Sequence, residues 1–163
     1  MKYSDLCEVY EKVGATTKRL EKIDILSNFL KHLSIADKDV LYLLLGAIYP
    51  GYSEKQIGIS SQTIIKAISK ASGVGSTEIV GEWKKIGDLG EVAEKLMKNK
   101  KQSSLFFGIL TVKKVITELR TLAEFEGKGT VGKKIDLIAG ILSESKSIEA
   151  KYVVRTMLSD LRI

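Results

Sequence analysis

Residues 22–48 read KIDILSNFLKHLSIADKDVLYLLLGAI, and residues 134–161 read KIDLIAGILSESKSIEAKYVVRTMLSDL. With one gap the two stretches share nine identities over the 27 positions from Lys22 to Ile48. Unrelated sequences would share about two, because one residue type rarely exceeds a tenth of a chain. The matches go beyond apolar spacing: Lys22-Ile23-Asp24 pairs with Lys134-Ile135-Asp136, and Ser34-Ile35 pairs with Ser147-Ile148. An internal repeat of a helix–turn–helix unit follows. Two copies packed face to face would give an all-α, compact multi-helix domain of two pseudo-twofold-related halves.

The rest of the chain keeps the same period. Leu20, Ile23, Leu26, Leu30 and Leu33 fall three or four apart, which places an apolar stripe on one helix. Val40, Leu41, Leu44, Leu45 and Ile48 predict the next helix, closed by Pro50-Gly51. Further helices are expected around residues 64–71, 79–86, 89–97, 112–123, 135–142 and 153–161. Asp88 with Glu91 reads as a capping box, and Thr111 as an N-cap. No run alternates with a period of two. Residues 95–108, KLMKNKKQSSLFFG, begin basic and lose the period. They read as an exposed insert joining halves of about 1–94 and 109–163 in one domain.

Composition narrows the function. The chain has 163 residues, 44% hydrophobic and 28% charged, with net charge +6. That is enough apolar material for a core. No stretch approaches the length of a membrane span, so no membrane partner is expected. A single histidine, His32, and a single cysteine, Cys7, leave no companions for a His- or Cys-based catalytic apparatus or a multi-cysteine metal site. His32 reads as a helix-surface residue and Cys7 as a small core or boundary residue. The positive charge permits a polyanionic partner.

Residues 127–134, GKGTVGKK, match G-x-G-x-x-G, but a nucleotide loop needs a strand before it and the period there is helical. Lys134 also stands where such a loop needs a magnesium-binding hydroxyl. The loop instead suits phosphate oxygens generically: Gly129 exposes backbone N–H, Thr130 offers a hydroxyl, and Lys128, Lys133 and Lys134 add charge ahead of a helix start. The first repeat is preceded by a similar loop, with Thr16, Thr17, Lys18 and Arg19. At the far end Tyr42 and Tyr49 of the first copy correspond to Arg155 and Arg162 of the second. The second copy is therefore expected to press harder on a polyanion. Ile57-Gly58-Ile59-Ser60 carries one glycine and reads as a helix entry.

Several segments resemble one family in collinear order: residues 3–25, GISSQTIIKAISKASG at 58–73, GDLGEVAE at 87–94, LTVKKV at 110–115, EGKGTVGKKIDL at 126–137 and IEAKYVVRTMLSDLRI at 148–163. Together they resemble the N-terminal DNA-binding domain of archaeal and eukaryotic ATP-dependent DNA ligases, in the archaeal replicative style. The resemblance implies a helical domain that lies across the minor groove of nicked duplex DNA and holds phosphates on both sides. It carries a DNA-contacting role onto the two loops and onto Arg155, Ser159 and Arg162. It also implies a nucleotidyltransferase domain and an OB-fold, which this chain lacks, so the chain is expected to be a non-catalytic piece of a longer enzyme. No cofactor is expected in this domain, with ATP and Mg2+ serving the full enzyme. The family's reactive lysine lies in Lys-x-Asp-Gly, and neither Lys22-Ile23-Asp24-Ile25 nor Lys134-Ile135-Asp136-Leu137 has the glycine. Gln102, Leu105, Phe106 and Phe107 resemble the family's docking motif for the replication sliding clamp, although the register departs from the usual form. The expected setting is cytoplasmic and nucleoid-associated. The competing expectation is a helical protein-interaction scaffold with no nucleic-acid role.

Overall fold

The computed structural model describes residues 1–53, 55, 57–99, 108–127 and 129–163. Among them every regular element is a helix, with one isolated bridge between Lys2 and Thr111. The helices are α1 (Tyr3–Gly14), α2 (Arg19–Leu30), α3 (Asp39–Leu44), α4 (Ser61–Ser72), α5 (Ser76–Ile86), α6 (Leu89–Lys98), α7 (Val112–Glu124), α8 (Thr130–Glu144) and α9 (Ser147–Met157), with a 3-10 turn at Ile35–Asp37. The all-α expectation holds. No helix among the described residues is long and apolar enough to cross a membrane.

Local chemistry sets most boundaries. Ser60, Asp88 and Thr111 cap α4, α6 and α7 by accepting first-turn N–H groups. Gly73 and Gly87 close α4 and α5 in the left-handed conformation at φ 77° and 78°. The expected helix at Val40–Ile48 is shorter than its apolar pattern, because Gly46 turns left-handed at φ 67° and ends it after Leu44. Lys95–Lys98, placed by the sequence in the insert, form the last turn of α6, where Met97 is buried.

The core centres on α9. Every residue from Tyr152 to Met157 is buried, and α6 packs along the helix. Helices α4 and α8 make the other broad contact. Helix α1 buries Tyr3, Leu6, Cys7, Tyr10 and Val13 against α7 and α9, with the Tyr10 and Tyr152 rings 4.6 Å apart. Tyr152 Oη and Lys151 Nζ both donate to Glu11 Oε1, at 2.7 and 2.8 Å.

The two repeat copies differ in burial. Helix α8 is held by α4, α7 and α9 and buries Ile138, Ala139, Ile141 and Leu142. Helix α2 docks on α1 and fully buries nothing: Leu20 is 75% exposed and Ile23 48%. The apolar stripe identified the helix but not a partner for it, and nothing among the described residues covers Leu20.

Candidate nucleic-acid interface

The two basic loops open α2 and α8, and neither helix start has a side-chain cap. Their first-turn N–H groups therefore keep hydrogen-bonding capacity at the positive end of the helix dipole. In the first loop Thr17, Lys18 and Arg19 are exposed and Thr16 is half-buried. Thr16 Oγ1 donates to Glu21 Oε2 at 2.5 Å and accepts from the Lys18 N–H at 3.2 Å. Lys18 Nζ reaches Glu21 Oε1 at 2.8 Å. The Lys18 hydrogen bond, then that of Thr16, holds the Glu21 carboxyl below the usual carboxylate range. Lys18 thus arrives already paired with a counter-charge that the sequence reading did not weigh.

In the second loop Gly127 and Gly129 adopt φ 92° and 89°, left-handed values that any side chain would strain. Thr130 Oγ1 donates to the Gly127 carbonyl at 2.9 Å, which folds the loop back on the helix start. Lys133 is exposed and Lys134 half-buried on the first turns of α8. Lys128 lies outside the described residues. The loop runs from α7 into α8, so the strand that a nucleotide-binding loop requires is replaced by a helix.

The far ends of the two copies are built alike. In the repeat register Tyr42, Leu43, Gly46 and Ala47 correspond to Arg155, Thr156, Ser159 and Asp160. The Gly46 N–H donates to Leu43 O at 2.9 Å and the Ala47 N–H to Tyr42 O at 2.9 Å. The Ser159 N–H donates to Thr156 O at 3.1 Å and the Asp160 N–H to Arg155 O at 3.0 Å. Both ends are Schellman turns with a left-handed residue at the same position, Gly46 at φ 67° and Ser159 at φ 54°. The sequence held a signal for this in the glycine that aligns with Ser159. A β-carbon built on Gly46 would sit 3.4 Å from Leu161 Cβ, so the turns touch. An open cleft of about 310 Å³ runs along them, lined by Leu45, Gly46, Tyr49, Lys55, Ile57 and Ser159.

Arg155 does not face this surface. It is 7% exposed, and its Nε and Nη2 donate to Asp88 Oδ2 at 3.0 and 2.6 Å. Arg155, expected from the sequence to contact DNA, points from α9 into the α6–α9 seam, where an unpaired guanidinium would be costly and Asp88 neutralises it. Burial raises the Asp88 carboxyl, but the Arg155 hydrogen bonds and charge, with the Glu91 and Gly90 N–H groups, outweigh it and hold the carboxyl below its ordinary value.

Arg162 stays accessible, with its side chain 46% exposed. Its Nε donates to Asp160 Oδ2 at 2.7 Å and its Nη1 to the Gly87 carbonyl at 3.1 Å. Its backbone is left-handed at φ 53°, unusual for a residue other than glycine. Ile163 beside it has its Cα 4.0 Å from where a β-carbon on Gly14 would lie, so this terminal segment borders the approach to the Thr16–Arg19 loop. No hydrogen bond or ion pair joins that loop to Gly129–Lys134 among the described residues. Gln102, Leu105, Phe106 and Phe107 lie outside the described residues.

Comparison with known proteins agrees with this architecture. The profile of the family described as DNA ligase N terminus matches residues 2–163. The chain is 42% identical to a DNA ligase of Methanosphaera stadtmanae, an alignment covering 99% of this chain and 30% of the relative. It is 40% identical to a DNA ligase of Methanothermobacter thermautotrophicus, covering 99% and 29%. It is 36% identical to a DNA ligase of Methanocaldococcus jannaschii, covering 100% and 29%. The chain thus spans about 30% of the length of the curated relatives it matches. With a match of that family's profile along almost its whole length, the chain belongs to the DNA ligase N terminus family.

Proposed function

We propose that this chain is the duplex-holding part of an ATP-dependent DNA ligase, gripping nicked DNA through phosphates along the minor groove without reading sequence. The observation that carries the reading is the pair of helix starts, α2 and α8, each lacking a side-chain cap and each with hydroxyl and basic residues at or beside its first turns: Thr16, Thr17, Lys18 and Arg19 at α2, and Thr130, Lys133 and Lys134 at α8. A helix start of this kind favours phosphate oxygens, and contacts to phosphate carry no sequence information. Ser159 and Arg162 add a third contact region at the end of the second copy. The neighbouring parts of the enzyme would be a nucleotidyltransferase domain and an OB-fold. ATP and Mg2+ would belong to them, because the glycine loop here follows a helix and lacks the strand that a nucleotide-binding loop requires. Gln102, Leu105, Phe106 and Phe107 would dock the enzyme on the replication sliding clamp, a small apolar anchor of the kind that dominates such interfaces.

Fluorescence anisotropy with nicked and intact duplexes across a salt series tests the reading. Roughly five phosphate contacts give a log–log slope near −4 to −5. A flat salt response, or strong preference for one sequence, overturns it. The uncovered stripe on α2 is the observation that favours a protein-interaction scaffold, and a flat response would be that reading's mark.

A further inference from the structure

Each of the two Schellman turns is followed by a short segment whose carbonyl is held by an arginine, from another helix in the first copy and from the turn's own helix in the second. In the first copy Arg120 of α7 donates from Nε to Ile48 O at 3.0 Å and from Nη2 to Asp39 Oδ1 at 3.1 Å. In the second copy Arg155 donates from Nη1 to Leu161 O at 3.4 Å while its Nε and Nη2 hold Asp88. Ile48 and Leu161 are equivalent positions in the repeat. The two arginines are not: position 155 corresponds to Tyr42, and Tyr42 lies under the Arg120 guanidinium at 5.9 Å. Arg155 lies over Tyr152 at 5.4 Å. The same device, a guanidinium bridging one aspartate and one turn carbonyl beside an aromatic face, is thus assembled twice from different elements.

We infer that Arg120–Asp39 and Arg155–Asp88 are matched positioning pairs that fix the two turns against each other for duplex binding. The inference rests on the duplex-holding reading and deepens it. The turns meet at Gly46 and Leu161, so a shift of either would be felt by the other. The second turn carries Ser159 and Arg162, and Arg162 is drawn to the same anchor: its Nη1 is 3.1 Å from Gly87 O and 3.6 Å from Asp88 Oδ2. The planar guanidinium fork presents its donors in fixed directions and so holds an aspartate and a carbonyl in one set geometry. Lysine keeps the charge but cannot reproduce that geometry.

The test uses the intact chain with two variants, Arg120→Gln at the half-exposed anchor and Arg155→Lys at the buried one. Affinity for a nicked duplex is measured at a temperature where circular dichroism shows each variant fully folded. Both should bind about fivefold or more weakly. Arg120→Gln should keep the wild-type salt slope, because the side chain sets a turn and does not touch phosphate. Wild-type affinity in a folded variant would mean a purely structural role and would overturn the inference. A slope reduced by about one in Arg120→Gln would also overturn it, by making Arg120 a phosphate contact. If Arg155→Lys does not fold, Arg120→Gln decides alone, since a matched role requires the same defect. A wild-type chain that does not bind duplex overturns the underlying reading as well; a wild-type chain that binds, with unaffected variants, overturns only this inference.

Discussion

Replacing Gly90 with alanine adds one carbon where two helices have no room for it. A β-carbon there would lie 2.8 Å from Arg155 Cγ, 2.8 Å from Lys151 O and 3.0 Å from Asp88 Oδ1. Neither near neighbour can step aside. Lys151 O is α9 backbone, and Arg155 is pinned by two hydrogen bonds to Asp88. Carbon contacts settle at about 3.5 Å or more, so α6 and α9 would have to part by roughly 0.7 Å. Overpacking of this kind costs about 1–3 kcal/mol. Strain on the buried Asp88–Arg155 pair adds to it, and alanine's better helix preference returns less than about 1 kcal/mol. A net loss of about 2–3 kcal/mol should lower the melting temperature by about 4–12 °C in a chain of this size. Gly81, inside α5, has nothing within 4 Å of its own built β-carbon and serves as the control. Gly81→Ala should melt at or slightly above wild type. Thermal melts followed by circular dichroism decide. A Gly90→Ala chain as stable as wild type would refute the close approach of α6 and α9.

Substituting Lys133 and Lys134 together with Ala should weaken duplex binding by the same factor for all sequences and lower the salt slope by about one to two; unchanged binding across the salt series would remove this loop from the interface. Replacing Phe106 and Phe107 with Ala should abolish binding to the cognate clamp in calorimetry and leave the melt unchanged, whereas an unfolded variant would make the rings core. Cys7 is fully buried, and desolvation followed by the charges of Glu149 and Glu11 pushes its thiol far up; it should react with a thiol reagent only once the chain is unfolded, and fast labelling of the native chain would contradict its burial. The Asp88 carboxyl is held below its ordinary value near 3.8, so its contribution to stability is present above that pH and lost as pH falls through the lowered value; acid melts of Asp88→Asn should show a shallower loss below about pH 3.8 than wild type, and identical acid profiles would count against the pair.

What the sequence could show follows from what each signal measures. Apolar spacing located the helices, and turn chemistry at Asp88, Thr111, Gly73 and Gly87 gave their ends, because these are contacts between near neighbours. The repeat placed the two basic loops at equivalent helix starts. It did not show that Arg155 is turned into the α6–α9 seam, since a position in a register says nothing of which face a neighbouring helix will cover. Arg120 left no trace either: it serves the first copy from α7, outside the repeat, and its partners Ile48 and Asp39 are 72 and 81 residues away. The uncovered stripe on α2 shows the same limit, for period identifies a face and not its partner.

The contact of α1 with α9 also sets when this chain can fold during its synthesis. Glu11 meets Lys151 and Tyr152 across 140 and 141 residues. Helix α1 therefore waits for α9, made some 140 residues later, before Tyr10 and Leu6 are covered. At about 5–20 residues per second that wait is about 7–28 s. During it the α1–α2 hairpin carries an apolar face on each helix with nothing to close over the first. Its folding is expected to be slower than that of a helical bundle joined by short local contacts.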